Sequence, residues 1–171
     1  MGVKTPHNTK LFAMLNPTTL KHKNLSVKCS DGVNKNWPLG HGQYTLAGNL
    51  GPLVPSVSEA KRNGFDDVLW LLDDDVQEMT ILNVMFVLKD RYGKLQLVTP
   101  PDNGCIIPGV IPKSIMALNE RIEAETGMII EERPISIHEL ISAFKEGRLI
   151  EAIGCSTSSH IQPISRIVYK D

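Results

Sequence analysis

Two short stretches of the chain carry residue types that bind anions. Pro108-Gly109-Val110 stands directly before a predicted helix, whose first backbone N–H groups have no partner inside the helix. The loop from Gly154 to Ser159 is rich in hydroxyl side chains that could donate to the same anion. Each stretch alone is common in loops, but together they indicate a phosphate pocket. The alternative, two ordinary loops, stays open at this point.

Other chemistries find little support in the sequence. The five histidines are scattered, and none stands at metal-ligand spacing from another His or a Cys, which predicts no metal site. Cys29, Cys105 and Cys155 form no CxxC pair, and Cys105 and Cys155 are expected to be buried thiols. The stretch Gly40 to Gly51 lacks both common nucleotide-binding patterns, GxGxxG and a terminal GK[ST]. Asp73 to Asp75 predict a solvated turn.

Apolar runs and turn residues predict the elements that must position these loops. Apolar runs over 81–88 and 95–99, joined by a polar stretch with a glycine, predict a hairpin. Ser136 and Glu139 have the capping-box spacing, which predicts a helix over 137–146. The other predicted elements are helices over 54–63 and 113–126, strands over 68–72, 128–133, 150–153, 162–164 and 167–169, and a short strand over 11–15. This set favours an α+β fold, with a mainly antiparallel, barrel-like sheet and outer helices.

Composition and charge limit the kind of protein this is. The 171 residues, 42% of them hydrophobic, suffice for one domain with a core. A net charge of -1 gives no attraction towards nucleic acid, and no apolar run reaches the roughly 18 residues that span a bilayer. We therefore expect no nucleic-acid partner and no membrane insertion. The predicted core consists of Val68, Leu69, Leu71, Val84, Phe86, Leu97, Ile115, Leu118, Ile122, Leu140 and Ile153.

Several motifs occur together in the order of a known family. They are Leu11–Pro17, Gly48-Asn49, Val68–Leu71, Glu78 with Asn83, Val98–Pro101, Asn103-Gly104, Ile107–Val110, Glu131–Arg133, Gly147-Arg148, Glu151-Ala152, and Thr157 before Pro163. From about Leu11 to Asp171 the chain resembles the large C-terminal domain of the branched-chain amino-acid aminotransferases, which are fold-type IV pyridoxal-phosphate enzymes. The resemblance implies a connecting segment with a short strand over residues 1–40, the large domain over 41–171, and no small N-terminal domain.

The resemblance also implies a set of cofactor positions, several of which are changed here. The lysine that forms the Schiff base corresponds to Thr45, which has no amine, and no lysine lies within 39–60 as a local substitute. The tyrosine that binds the cofactor's phenolic oxygen corresponds to Leu50. The carboxylate that pairs with the pyridine nitrogen is retained as Glu78, accompanied by Asn83. The alternative for Glu78 is an internally paired or partly exposed carboxylate.

The two phosphate-binding loops that the resemblance implies differ in how well they match. After Pro-Gly-Val110 the family has a threonine and an arginine, where this chain has Ile111 and Pro112. One hydroxyl is therefore lost, and proline also removes a backbone N–H from the first helical turn. The second loop keeps its threonine as Thr157, followed by Ser158 where the family prefers alanine.

These changes favour a non-catalytic aminotransferase-like protein without a catalytic residue or bound pyridoxal phosphate. We expect it to be a structural subunit of a larger assembly, with other protein subunits covering the face left by the missing small domain. The mitochondrion is the favoured compartment, and the cytoplasm is the alternative. An active branched-chain aminotransferase, completed by another chain or represented by a fragment, is the first alternative function. A binder of a small phosphorylated or carboxylated metabolite is the second.

Overall fold

An eight-stranded sheet is the frame of the fold in the computed structural model, which describes residues 4–17 and 23–170. The strands are β1 (Leu25–Cys29), β2 (Asp67–Leu72), β3 (Asp75–Met79), β4 (Asn83–Lys89), β5 (Leu95–Thr99), β6 (Ile129–Glu132), β7 (Leu149–Ser156) and β8 (His160–Val168). The helices are α1 (Ala47–Leu50), a 3-10 turn (Gly51–Leu53), α2 (Val54–Arg62), α3 (Val110–Ala117), α4 (Asn119–Thr126) and α5 (Ile137–Lys145). The strand order is β3-β2-β1-β8-β7-β4-β5-β6. The predicted α+β class is confirmed.

The hairpins and the best-marked helices follow local sequence signals. β4 and β5 pair antiparallel, and the acidic turn Asp73–Asp75 is exposed between β2 and β3. At the start of α5, the Ser136 hydroxyl accepts a hydrogen bond from the Glu139 N–H at 3.1 Å, as the capping spacing predicts. The two short strands predicted near the C-terminal end are one strand, β8. In the part of the chain that is described, no helix is long and apolar enough to cross a bilayer.

Strand β1 lies in the middle of the sheet, although the sequence predicts only a connecting segment there. It pairs parallel with both β2 and β8. Val27 and Cys29 alternate inward and are only 0% and 5% exposed. Residues 25–29 therefore belong to the core of the domain, and the predicted boundary at residue 40 is wrong in this respect.

The apolar run Leu11–Leu15 is not a strand, which corrects the short strand predicted there. Residues 4–17 have no regular secondary structure, and Leu11 and Leu15 are each 99% exposed. Phe12 and Met14 are each 82% exposed. A strand needs a neighbour to take its backbone hydrogen bonds, and none of the described strands pairs with this run. We call Leu11–Leu15 the N-terminal apolar segment.

The single helix predicted over 113–126 is divided into α3 and α4 at Leu118. The backbone of Leu118 leaves helical geometry, with φ −94° and ψ 8°. The break turns the side chain outward, so Leu118 is 49% exposed and the prediction that it is a core residue is wrong. Ile115 and Ile122 are partly buried against a small cluster that includes Met85 and Leu97.

Most of the other predicted core residues are buried in the main core, which lies between the sheet and α5. Its largest members include Leu69, Phe86 and Leu140, which are at most 3% exposed. Close packing of such side chains beneath α5 fixes β3, β4 and β7 relative to one another. Strands β3 and β4 carry Glu78 and Asn83 of the candidate site, and β7 lies beside Asn83.

Candidate functional site

A buried carboxylate, Glu78, stands at the centre of the candidate site. Strand β3 carries it, and its residue is only 1% exposed. Its Oε1 accepts a hydrogen bond from Lys35 Nζ at 2.7 Å, and the Ile107 N–H lies 3.0 and 3.1 Å from its two oxygens. Burial raises the pKa of Glu78 to about 7, although the Lys35 ammonium and the Ile107 N–H act to lower it. Glu78 is therefore an internally paired carboxylate.

Two buried amides complete the shell around Glu78. Asn36 Nδ2 donates to the Cys105 carbonyl at 2.6 Å and lies 3.4 Å from Glu78 Oε1. Asn83 Nδ2 donates to the Ile107 carbonyl at 2.8 Å and lies 3.3 Å from Glu78 Oε2. We call Lys35, Asn36, Glu78 and Asn83 the Glu78 cluster. It joins the segment before α1 to β3, β4 and the loop that leads into α3.

Lys35 is the main functional residue that sequence reasoning missed. Besides Glu78, its ammonium donates to the carbonyls of Met79 at 3.3 Å and Thr80 at 3.0 Å. Its three N–H donors are therefore all used, and the side chain is 2% exposed. Lys35 lies just outside the interval 39–60 that contains no lysine, and the chain folds it back onto Glu78. No local pattern distinguishes it from the other lysines of this polar segment.

Two glycines let the backbone approach the Glu78 cluster closely. A Cβ at Gly42 would overlap with the Asn36 side chain, and a Cβ at Gly109 would overlap with Asn83. The glycine of the Ile107–Val110 motif therefore has a packing role at this site. Its φ of −92° is accessible to any residue, so only space requires glycine there.

Thr45 and Leu50 lie apart from this cluster. Thr45 is exposed in the loop before α1. Asn49 Nδ2 holds that loop by donating to the carbonyls of His41 at 2.7 Å and Tyr44 at 2.9 Å. Leu50 packs against a second apolar cluster that contains Trp70. Among the described residues, no hydrogen bond joins Thr45 or Leu50 to the Glu78 cluster.

The helix N-terminus expected to bind phosphate is at the start of α3. Its N-cap residue Gly109 offers no side-chain hydrogen bond, and Val110 is 64% exposed. Ile111 packs into the cluster around Met85, while Pro112 is buried and contributes no N–H. The first turn of α3 therefore offers fewer donors than an ordinary helix start.

The second predicted phosphate loop is the turn between β7 and β8. The register pairs Asn83 with Cys155, so this turn follows directly after the strand beside the Glu78 cluster. Thr157 and Ser158 are exposed in it. The Ser156 and Ser158 hydroxyls bond each other at 2.9 Å, and the Ser159 N–H donates to Ser156 at 3.2 Å. These three serines are thus mainly engaged with one another.

Metal and thiol chemistry find no site in residues 4–17 and 23–170. No group of three His, Cys, Asp or Glu side chains in these ranges could hold a metal ion. All three cysteines are buried, as predicted for Cys105 and Cys155. Burial raises the pKa of Cys29 to about 12 and that of Cys155 to about 11, so neither thiol ionises readily near neutral pH.

Comparison with known proteins relates this geometry to one family. The model of the family described as amino-transferase class IV matches residues 4–167. The mitochondrial branched-chain-amino-acid aminotransferase of Schizosaccharomyces pombe is 32% identical over 99% of this chain and 41% of its own length. The mitochondrial enzyme of Bos taurus is 33% identical over 99% of this chain and 44% of its own.

Solved structures show the same fold. The branched-chain amino acid aminotransferase from Thermobaculum terrenum, in its PLP form, aligns with a TM-score of 0.68 and 24% identity, over 86% of this chain and 44% of that one. The Escherichia coli enzyme aligns with a TM-score of 0.65 and 22% identity, over 84% and 44%. The chain thus spans less than half the length of these relatives. The resemblance inferred from the motifs is confirmed, and because the family model matches residues 4–167, the chain belongs to the amino-transferase class IV family.

Proposed function

We propose that this protein is a non-catalytic relative of the branched-chain aminotransferases that serves as a structural subunit of a larger assembly. The main support for the proposal is that Glu78 is buried and already paired within its own chain, which we call the closed state of Glu78. In the family this carboxylate pairs with the pyridine ring of the cofactor. Here its hydrogen-bond partners come from the same chain, and it is 1% exposed.

The residues present do not fit covalently bound pyridoxal phosphate. Thr45 has no amine and is exposed, and Leu50 has no hydroxyl and packs into an apolar cluster. Lys35 is the lysine beside Glu78, but all its N–H donors are used. Pro112 has no backbone N–H, so the start of α3, where phosphate was expected to bind, also has one donor fewer. These observations support an aminotransferase frame that is retained without the chemistry.

Exposed apolar surface supports the role as a subunit. Leu11 and Leu15 are 99% exposed, and Phe144 on α5 is 72% exposed. Large apolar patches are rare on proteins that act alone, so we propose that other protein subunits cover this surface. The relatives of S. pombe and Bos taurus are named mitochondrial, and we propose the mitochondrion for this chain as well. Cell fractionation tests the compartment, and identification of co-purifying chains tests the partners.

Spectroscopy and turnover test the non-catalytic role. The full chain is purified from cells that supply pyridoxal phosphate, and its visible absorbance and its transamination of leucine, isoleucine and valine are measured. We expect neither cofactor absorbance nor turnover. Thr45→Lys is also expected to stay inactive, because its loop is exposed and Glu78 stays closed. Turnover by the natural chain would contradict the proposal, and turnover by the variant would show that the closed Glu78 is no obstacle.

An active aminotransferase, or a fragment of one, is the competing proposal. The names of the similar enzymes favour it. So does the fact that the chain spans only 41% of the Schizosaccharomyces pombe enzyme and 44% of the Bos taurus enzyme. It requires a lysine from another polypeptide, since Thr45 cannot react. Transamination by the assembly purified from its natural source, lost when this chain is removed and restored when it is added back, would favour this alternative.

A further inference from the structure

Three oxygen atoms surround the ammonium group of Lys35. They are Glu78 Oε1, at 2.7 Å from Nζ, and the carbonyl oxygens of Met79 and Thr80, at 3.3 and 3.0 Å. A primary ammonium carries one positive charge and three N–H donors, so one carboxylate and two carbonyls match it in charge and in number. A cation without N–H groups would leave these acceptors unpaired in a buried place, which is costly.

The three acceptors are held in place by other contacts than those with Lys35. The Glu78 carboxylate also accepts from the Ile107 N–H and lies near the two amides of its cluster. The backbone N–H groups of Met79 and Thr80 are themselves hydrogen-bonded within the chain. The acceptors therefore stay in position when only the lysine side chain is shortened.

Lys35 reaches this site from the segment between β1 and α1. Among the described residues, the hydrogen bonds that join residues 31–40 to the rest of the chain come from Lys35 and Asn36. Trp37, in the same segment, is 59% exposed, and Leu39 is fully exposed. The polar attachment of this segment is thus one ammonium and one amide.

A cavity of about 350 Å³ borders the same lysine. Lys35 and Asn36 line it, together with His41 and Asn49. The side chain of Lys35 is only 2% exposed, so its ammonium is closed off from solvent. A shorter side chain at this position would join the volume of the lysine stem to the cavity. A small ligand would then have a route to Glu78.

We propose that Glu78, Met79 and Thr80 form a binding site for a primary ammonium group, and that Lys35 occupies it as a ligand from the protein's own chain. The ligand class is a primary alkylammonium, whose three N–H groups meet the three acceptors. In the natural chain the tethered lysine is present at a high effective concentration, so it excludes free amines. The inference rests on the closed state of Glu78 in the proposed function and names the ligand that this site selects.

Chemical rescue of Lys35→Ala tests the site. The part of the side chain that this variant lacks corresponds to propylammonium. In thermal unfolding of the full chain, propylammonium chloride at about ten times its dissociation constant should raise the folding equilibrium constant of the variant about tenfold. Propyltrimethylammonium has the same charge but no N–H group, so it should act no more strongly than sodium chloride.

Two matched variants control for effects outside the site. Lys35→Met should not respond to propylammonium, because its own side chain fills the path of the lysine stem. Lys35→Ala with Glu78→Gln should not respond either, because the charged acceptor is gone. If Lys35→Ala fails to fold by itself, propylammonium should restore its refolding, and propyltrimethylammonium should not.

The natural chain provides an independent measurement. N-hydroxysuccinimidyl acetate should acetylate Lys35 more slowly than the half-exposed Lys94, by at least about tenfold, because a buried amine reacts only after local opening. Acetylation at equal rates, no rescue by propylammonium, equal effects of the two organic ions, or an equal response of Lys35→Met would overturn the proposal. Each of these results leaves the non-catalytic role standing, since only turnover or a Schiff base in the natural chain refutes that role.

Discussion

Replacing Lys35 with methionine removes the cation beside Glu78 and leaves the carboxylate buried. Removing one partner of a buried ion pair costs about 3–5 kcal/mol, because the remaining charge has lost its compensation. Three N–H donors, from Asn36, Asn83 and Ile107, still reach the carboxylate. A pKa of about 7 also lets Glu78 take up a proton near neutral pH. We therefore expect a loss at the lower end of the range, about 3 kcal/mol.

Urea unfolding followed by tryptophan fluorescence measures this loss. Trp70 is fully buried, and its indole N–H donates to the Thr80 hydroxyl at 3.2 Å. The Thr80 carbonyl in turn accepts from Lys35, so the reporter lies close to the perturbed group. Lys94→Met is the matched control, because the Lys94–Glu123 pair is about half exposed and should contribute less than about 1 kcal/mol.

The double variant Lys35→Met with Glu78→Gln separates the ion pair from general packing. It removes both charges, so its loss of stability should be clearly smaller than the sum of the two single losses. The ion pair would be refuted as a source of stability if Lys35→Met lowered the free energy of unfolding by less than about 1 kcal/mol, or by no more than the Lys94 control does.

Three further predictions concern the site and the core. The raised pKa of Glu78, about 7 against the usual 4.5, means that the folded state holds this proton more tightly than the unfolded chain. The stabilisation that protonated Glu78 provides is thus full below pH 4.5 and is lost as the pH rises through 7. Across that window the free energy of unfolding of the natural chain should fall by about 3 kcal/mol relative to that of Glu78→Gln. A difference between the two that does not change with pH would count against the raised pKa. In thermal unfolding, Gly109→Ala should cost about 1–3 kcal/mol through overlap with its neighbours, whereas Gly48→Ala, with open space around it, should cost less than about 0.5 kcal/mol; equal effects would contradict the packing argument. In urea unfolding, Leu140→Ala should lower the free energy of unfolding by about 2–5 kcal/mol and Leu118→Ala by less than about 1 kcal/mol. The reverse order would show that the burial assigned to Leu118 and Leu140 is wrong.

Local signals explain the parts of the fold that the sequence predicts well. Helix α5 has its own cap at Ser136, and its apolar side chains recur at helical spacing, so its bounds are nearly those expected. Strand β5 is a short apolar run between turn residues and matches its predicted range. Strand β1 has no such signal. Its stability comes from parallel pairing with β2 and β8, and Leu25 faces Ile164 across 139 residues of sequence.

The residues of the candidate site also differ in how well the sequence predicts them. Glu78, Asn83 and Gly109 belong to motifs, and the structure brings them together. Lys35 has no motif, because its role depends on a fold-back that joins it to a residue 43 positions later. The sequence shows that Thr45 lacks an amine, but only the fold shows that Lys35 pairs with the retained carboxylate of Glu78.

Reductive trapping tests the central claim, an aminotransferase frame without Schiff-base chemistry, most directly. The full chain is isolated from cells grown with a supply of vitamin B6, treated with borohydride without added cofactor, and its intact mass is measured. Borohydride fixes any Schiff base between a lysine and pyridoxal phosphate as a stable adduct. Since Thr45 has no amine and Lys35 is engaged with Glu78, we expect an unchanged mass. One cofactor adduct per chain, mapped to a single lysine, Lys35 included, would contradict it.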